Sequence, residues 1–338
     1  MKTTQDQVIE LAQKCLSEVP VVVLGSGASR QYGVGGMDEL GMCLRKNVVP
    51  DEKSGEPAIW DKFVADIEAN GDLENALHRV TLPHTLELRV VEETRKLLLS
   101  DDQRVFGKIA DGSLKLTLVQ LLRYLLRVAN PHIVVVTTNY DRLVEYAADQ
   151  ANVPHQTGFS HGYWRTFSDF SASKAAWVEI LKVHGSLDWF LDAAQNPVAL
   201  PDSLPPPAGF TPVMVTPGVG KYEKTHDDPF RTIITRADNA FKAARSILSL
   251  GYGFRDRHIQ PKMQKRIAND RVPTVFLAKT LSAEIRRFLK TCENPHYLAL
   301  EQAGTNTRAY FSQSPDGVEV SGSIWEFPTF LDATIGNS

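Results

Sequence analysis

Short, unbroken apolar runs alternate with amphipathic helical stripes along most of this chain. Val21-Val22-Val23-Leu24, His132-Ile133-Val134-Val135-Val136-Thr137, Trp177–Val183, Ser246–Leu250 and Pro273–Ala278 each read as a strand buried on both faces. Val8, Leu11, Ala12, Cys15 and Leu16 fall at i, i+3, i+4, i+7 and i+8, the stripe of a first helix that Pro20 closes off. Further helices are expected through Leu143 and Ala147, over Phe230–Arg245, and along Ile259, Met263 and Ile267. This alternation, sustained to about residue 279, predicts an α/β fold: a Rossmann-like parallel sheet with helices on both faces.

One stretch breaks the rhythm. From about Pro57 to Val128 helix follows helix, with stripes at Leu73, Ala76, Leu77 and Val80, and at Leu118, Leu121, Leu122, Leu125 and Leu126 before Asn130-Pro131. The expected organisation is a sheet domain from 1–50 and 131–338 with a helical insert domain at 51–130. Such an insert caps a ligand cleft or forms a subunit interface, and the pattern does not choose. Asp192 to Asp228 reads as a loop-rich surface excursion with one strand near Val213-Met214-Val215. The tail reads as a final strand or hairpin through Tyr297–Leu300 and Arg308–Phe311.

Polar clusters stand just after the apolar runs, where ligands of open α/β sheets gather. Gly25-Ser26-Gly27-Ala28-Ser29 follows the first run, and glycines there leave backbone N–H groups free to face a phosphate. A sharp strand exit would use the same glycines. The dehydrogenase pattern G-x-G-x-x-G is broken by Arg30. Thr137-Thr138-Asn139-Tyr140-Asp141 offers more polar side chains than one helix N-cap needs. His184-Gly185-Ser186 ends a third strand, and Gly251-Tyr252-Gly253-Phe254-Arg255-Asp256 ends another in a second glycine turn. Gly33-Val34-Gly35-Gly36 is a further glycine-rich stretch suited to a lid.

Composition narrows the ligands. The 338 residues are 43% hydrophobic and 23% charged, enough for a substantial core. A formal net charge of −3 gives no basic footprint, so direct nucleic-acid binding is not expected. Cys15, Cys43 and Cys292 are scattered and odd in number, against both a disulfide framework and a four-cysteine zinc site, so no metal is expected. No apolar run approaches a membrane span and the first residues are polar, which places the expected site of action in the cytoplasm.

The four motifs Gly25-Ser26-Gly27-Ala28-Ser29, Thr137-Thr138-Asn139-Tyr140-Asp141, Val183-His184-Gly185 and Gly251-Tyr252-Gly253, in this order, resemble the sirtuin family. More closely, they resemble the sirtuin-like NADases of bacterial antiphage defence, over roughly residues 20 to 280. The resemblance implies NAD as substrate, with Gly25, Gly27, Ala28 and Ser29 around the pyrophosphate and Ser26, Thr137 and Thr138 also among the cofactor-binding residues. It further implies Asn139 and Asp141 at the nicotinamide and its ribose, His184 as catalytic base, and Gly251 and Gly253 on the adenosine side. Asp256 joins the cofactor-binding set at a position often polar in the defence group. Three departures bear on the reaction: too few cysteines for the zinc ribbon of protein-deacylating sirtuins, Gly33–Asp38 in place of their G-I-P-D-F-R type loop, and Thr138 where they carry glutamine.

These departures leave NAD cleavage intact and put acyl transfer in doubt. The expected reaction is hydrolysis of NAD to nicotinamide and ADP-ribose, depleting NAD in phage defence. The alternatives are zinc-free NAD-dependent deacylation, a non-catalytic NAD or ADP-ribose sensing scaffold, and, third, a dehydrogenase. An unregulated NADase harms its host, so the resemblance also implies a homo-oligomer working with a partner such as a HerA-type hexameric ATPase.

Overall fold

A computed structural model describes residues 2–70, 73–127, 132–163, 165–168, 176–201, 206–215, 227–256 and 259–336. The first half forms α1 (Thr4–Ser17), β1 (Val21–Leu24), α2 (Ser26–Arg30), α3 (Met37–Asn47), α4 (Glu56–Asn70), α5 (Leu73–Arg79), α6 (His84–Ala110), α7 (Thr117–Arg127), β2 (His132–Thr137) and α8 (Leu143–Ala151). There follow β3 (His155–Gln156), β4 (Arg165–Thr166), β5 (Trp177–Lys182), β6 (Gly185–Leu191), β7 (Pro197–Ala199) and β8 (Thr211–Met214). The last part forms α9 (Phe230–Ala243), β9 (Ile247–Leu250), α10 (Gln260–Asn269), β10 (Thr274–Leu277), α11 (Ala283–Thr291), β11 (Tyr297–Ala303), β12 (Asn306–Phe311), β13 (Ser314–Val320) and α12 (Phe327–Ile335).

The main sheet runs β13-β12-β11-β10-β9-β1-β2-β5-β3, parallel from β11 to β3 and antiparallel at β12 and β13. Its parallel strands β5-β2-β1-β9-β10-β11 follow the spatial order 3-2-1-4-5-6 of doubly wound sheets, whose direction of winding reverses between β1 and β9. Because both faces are covered, the strands are apolar on both. Val22, Leu24, Val135, Ile180, Leu248 and Leu277 pack under α1, α6, α7, α8 and α12. Val21, Val23, Val136, Leu181, Ile247 and Phe276 pack under α9, α10 and α11.

The helical segment carries a small core of its own. Leu40 and Leu44 of α3 meet Trp60 and Phe63 of α4, Ala76 and Leu77 of α5, and Leu86 and Val90 of α6. The 27-residue α6 then runs on, so that Leu98, Leu99 and Val105 enter the core beneath the sheet. Its own α7 lies wholly in that sheet-covering layer. The helix stop expected at Asn130-Pro131 lies outside the described residues.

Two regions differ from the sequence expectation. The stretch after Asp192 is not a surface excursion with one strand: β7 and β8 flank β6, and β4 flanks β7, in an antiparallel second sheet. The cause is β6, whose Leu187, Trp189 and Phe190 are all buried and require cover on both sides. The tail is a three-stranded meander, β11 to β13, followed by α12, which seats Phe330 and Leu331 in the core.

A buried ion pair ties the helical segment to the sheet. Asp102 of α6, 0% exposed, accepts from Arg142 N at 2.8 Å, Arg142 Nε at 3.1 Å and Tyr146 Oη at 2.6 Å, and pairs with the terminal nitrogen of Arg142 as well. Removing one member of such a pair leaves an uncompensated buried charge, so Asp102→Ala should lower unfolding free energy by about 3–5 kcal/mol in urea titrations. A loss below 1 kcal/mol, roughly the value of an exposed pair, would show that this contact does not hold the two parts together.

Candidate active site

Strand register brings the expected residues to one edge. Leu24 is level with Thr137 and Leu250, Leu250 with Leu277, and Thr137 with Lys182. The residues that follow therefore leave the sheet together, at the reversal point. Two adjoining cavities open there, about 370 and 700 Å³. Gly25, Ser26, Ser29, Thr138, Asn139, Asp141, His184, Gly253 and Asp256 line the smaller. Ser26, Ser29, Asn139, Asp141 and Gly253 also line the larger, which adds Gly27, Ala28 and Gly251. Thr137 lines neither; it is buried, and its hydroxyl accepts from Asn139 N at 3.0 Å.

The paired glycines have a different task from the one expected. Gly25 N donates to Leu250 O at 3.0 Å, Gly27 N to Gly251 O at 3.1 Å and Ala28 N to Gly25 O at 3.0 Å, so these amides are engaged within the protein. What the glycines permit is backbone-on-backbone contact between the exits of β1 and β9. Gly251 has φ +57°, and a Cβ there would lie 2.3 Å from Ala28 N and 2.4 Å from Gly27 C. Gly253 is the open one: a Cβ there meets nothing within 4 Å.

Asn139 is held by both of its amide hydrogens. Nδ2 donates to Gly25 O and to Ser29 Oγ, each at 3.0 Å, which leaves Oδ1 as the side-chain atom without a bond from the described residues. Ser29 Oγ passes its own hydrogen to Asp141 Oδ2 at 2.7 Å. Asp141 also accepts from Leu143 N at 3.2 Å, at the start of α8. The fully buried Lys182 donates to Asp141 O and to Glu145 Oε1, the latter at 2.9 Å, and so links the end of β5 to the same turn. Burial pushes the Asp141 carboxyl up to about 6, against the pull of Lys182 and Ser29.

His184 stands between β5 and β6 with its Nε2 2.5 Å from Asp256 Oδ2. Gly185 follows it because the chain turns there at φ +91°, where a Cβ would lie 2.2 Å from Val213 O. The ring is 6.4 Å from that of Tyr140, whose hydroxyl donates to Val215 O at 2.6 Å. Over the smaller cavity lie Val34, Gly35, Gly36, Met37, Leu40 and Leu98. The Gly33–Gly36 stretch is pinned to α6: Gly35 N donates to Asp101 Oδ2 at 2.9 Å, and Arg104 donates to Gly33 O at 2.6 Å.

Several lining residues escaped sequence reasoning. Lys279 and Thr280 follow the apolar run of β10, and the strand-end rule applied to that run finds them. Trp325 and Glu326, which border the larger cavity, and Met37, Leu40 and Leu98 carry no sequence signal of a site, because only chain folding brings them there. Among the described residues no group of three or more His, Cys, Asp or Glu is placed to hold a metal ion. Nor is any helix of those residues long and apolar enough to cross a membrane.

Asp141 yields a signed test. Its carboxyl holds a proton below about 6 in the fold but only below about 3.8 when unfolded, so the folded chain binds more protons in between. Relative to Asp141→Asn, the wild type should therefore gain stability as pH falls from about 7 to about 5, read from urea unfolding of both proteins. An unchanging difference would show that Asp141 is ionised throughout.

Residues 133–297 match the family described as SIR2-like domain, from β2 to the first residue of β11; β1 and the Gly25–Ser29 turn precede the match. A solved Sir2 homologue–NAD complex is 15% identical, with 81% of this chain and 84% of that one covered at a TM-score of 0.40. Sir2Tm bound to a propionylated peptide is 12% identical, covering 83% and 89% at 0.41. A structure reported for the mechanism and regulation of Sir2 enzymes is 12% identical, covering 82% and 87% at 0.40. No curated protein matches the chain in sequence. The family likeness is therefore to the SIR2-like domain, over residues 133–297 of the 338-residue chain.

Proposed function

We propose that this protein hydrolyses NAD at the nicotinamide–ribose bond, releasing nicotinamide and ADP-ribose. The observation that carries the reading is the meeting of Asn139, from the end of β2, and His184, from the end of β5, on one cavity at the sheet's reversal point. Adjoining cavities of about 370 and 700 Å³, joined along Ser26, Ser29 and Gly253, suit a ligand with two halves. The open side of Gly253 allows close approach of such a ligand. Ser26 and Thr138 offer hydroxyls at its edge.

The chemistry asks little of an acid. Nicotinamide leaves as a neutral ring, taking the electron pair of its bond to ribose C1′, while positive charge spreads over the sugar. A group that orients the nucleophile and a base that takes its proton are what remains to supply. Asn139 presents the oxygen of an amide that cannot titrate. Water adds to C1′ as the bond to nicotinamide breaks, and its proton passes to the His184 imidazole.

NAD given to the purified protein, alone and with its partner or trigger, should yield nicotinamide and ADP-ribose by chromatography. Asn139→Ala and His184→Ala should each remove that release, by about 100-fold or more. Undiminished turnover in both variants would remove the site assignment. Acyl-ADP-ribose formed from an acylated peptide would instead establish a deacylase, although the chain has only three cysteines for a zinc ribbon that needs four.

We also propose that the protein acts in phage defence as a homo-oligomer associated with a HerA-type hexameric ATPase. The reading is supported by the sequence resemblance and by the need to restrain an enzyme that destroys a shared cofactor. Mass measurement of the chain alone and co-expressed with such an ATPase tests it: an assembly is expected, and a monomer under both conditions rejects it.

A further inference from the structure

The geometry points to Asp256 as the positioning residue that fixes the His184 imidazole in the tautomer able to act as base, with Nδ1, not Nε2, turned to the reacting group. This rests on the proposed NAD cleavage only for the identity of that group.

The two side chains come from distant strand ends, β5 and β9, yet Asp256 Oδ2 lies 2.5 Å from His184 Nε2, with His184 7% and Asp256 3% exposed. A carboxylate at that distance accepts Nε2–H, so the lone pair of the neutral ring resides on Nδ1. No protein group among the described residues bonds Nδ1. When Nδ1 takes a proton from the nucleophile, the imidazolium that forms keeps its Nε2–H on the Asp256 carboxylate. Asp256 thereby sets which nitrogen accepts the proton.

Three other polar side chains bordering the same cavity are engaged elsewhere. Asp141 is engaged with Ser29 and Leu143 N, Tyr140 with Val215 O, and Arg255 with Glu284 Oε2 at 3.2 Å. Tyr252 also lines this cavity.

A purely structural role for Asp256 makes a different prediction. Its Oδ1 accepts from Ile259 N at 3.3 Å, and its backbone oxygen from Gln260 N at 3.0 Å, so it also closes the first turn of α10. Asparagine keeps an oxygen for that turn but loses the charge, and its amide can donate to Nε2, moving the ring hydrogen to Nδ1 and masking the base. Asp256→Asn therefore separates the two roles.

The test uses full-length protein with ¹⁵N-labelled histidine, the His184 ring signals being assigned by their loss in His184→Gln. The wild type should show hydrogen on Nε2 and a bare Nδ1, and Asp256→Asn should shift hydrogen toward Nδ1. Asp256→Glu should restore the wild-type tautomer. In nicotinamide release, Asp256→Asn should lower kcat by about 100-fold with KM changed little. An unaltered tautomer in Asp256→Asn overturns the assignment. Loss of the cleavage reading shows separately, as full nicotinamide release by His184→Gln, and leaves the tautomer result standing.

Discussion

Contact between two bare backbones, at the exits of β1 and β9, is the constraint on which the rest of this structure depends. Gly27 and Gly251 approach so closely that neither strand exit admits a Cβ, and Gly27 N donates across the gap to Gly251 O. This contact closes the sheet at its reversal point. It also decides where a ligand can lie, since the amides of Gly25, Gly27 and Ala28 are turned inward and the open surface falls to Ser26, Thr138 and Gly253.

Beneath that surface lie several buried charges. Lys182 is fully enclosed and ties the Asp141 turn to β5; Asp102 is fully enclosed and ties the next residue, Arg142, to α6; Arg165 pairs with buried Asp188 at 2.6 Å. Buried ion pairs add little net stability, because desolvation offsets most of the attraction. Their physical effect here is directional. Each bond has one geometry that satisfies it, and together they hold the Asn139–Asp141 turn in a single position relative to His184 and to the helical segment above.

The helical segment is bound to the site at more than one level. Its small core around Trp60 and Phe63 is its own, but α6 continues into the main core and carries Asp101, Asp102 and Arg104. Those three side chains reach the glycine-rich loop and the start of α8. Movement of α6 is therefore coupled to the roof of the smaller cavity and to the turn below it.

The sequence by itself determined the sheet and the positions of its ends. Runs such as Val21–Leu24 and Ile133–Val136 read as strands of a sheet covered on both faces, and the polar residues after them mark the edge where ligands bind. Only the tertiary structure decided what those residues do to one another. Asp256 and His184 are 72 positions apart, and Ser29 and Asp141 are 112 apart, separations at which no periodicity or motif reports a hydrogen bond. The small sheet around β6, the final helix and the lining at Trp325 were hidden for the same reason. Local pattern records which face of an element is apolar, whereas pairing between distant strand ends is set by register and chain crossing, which local pattern does not contain.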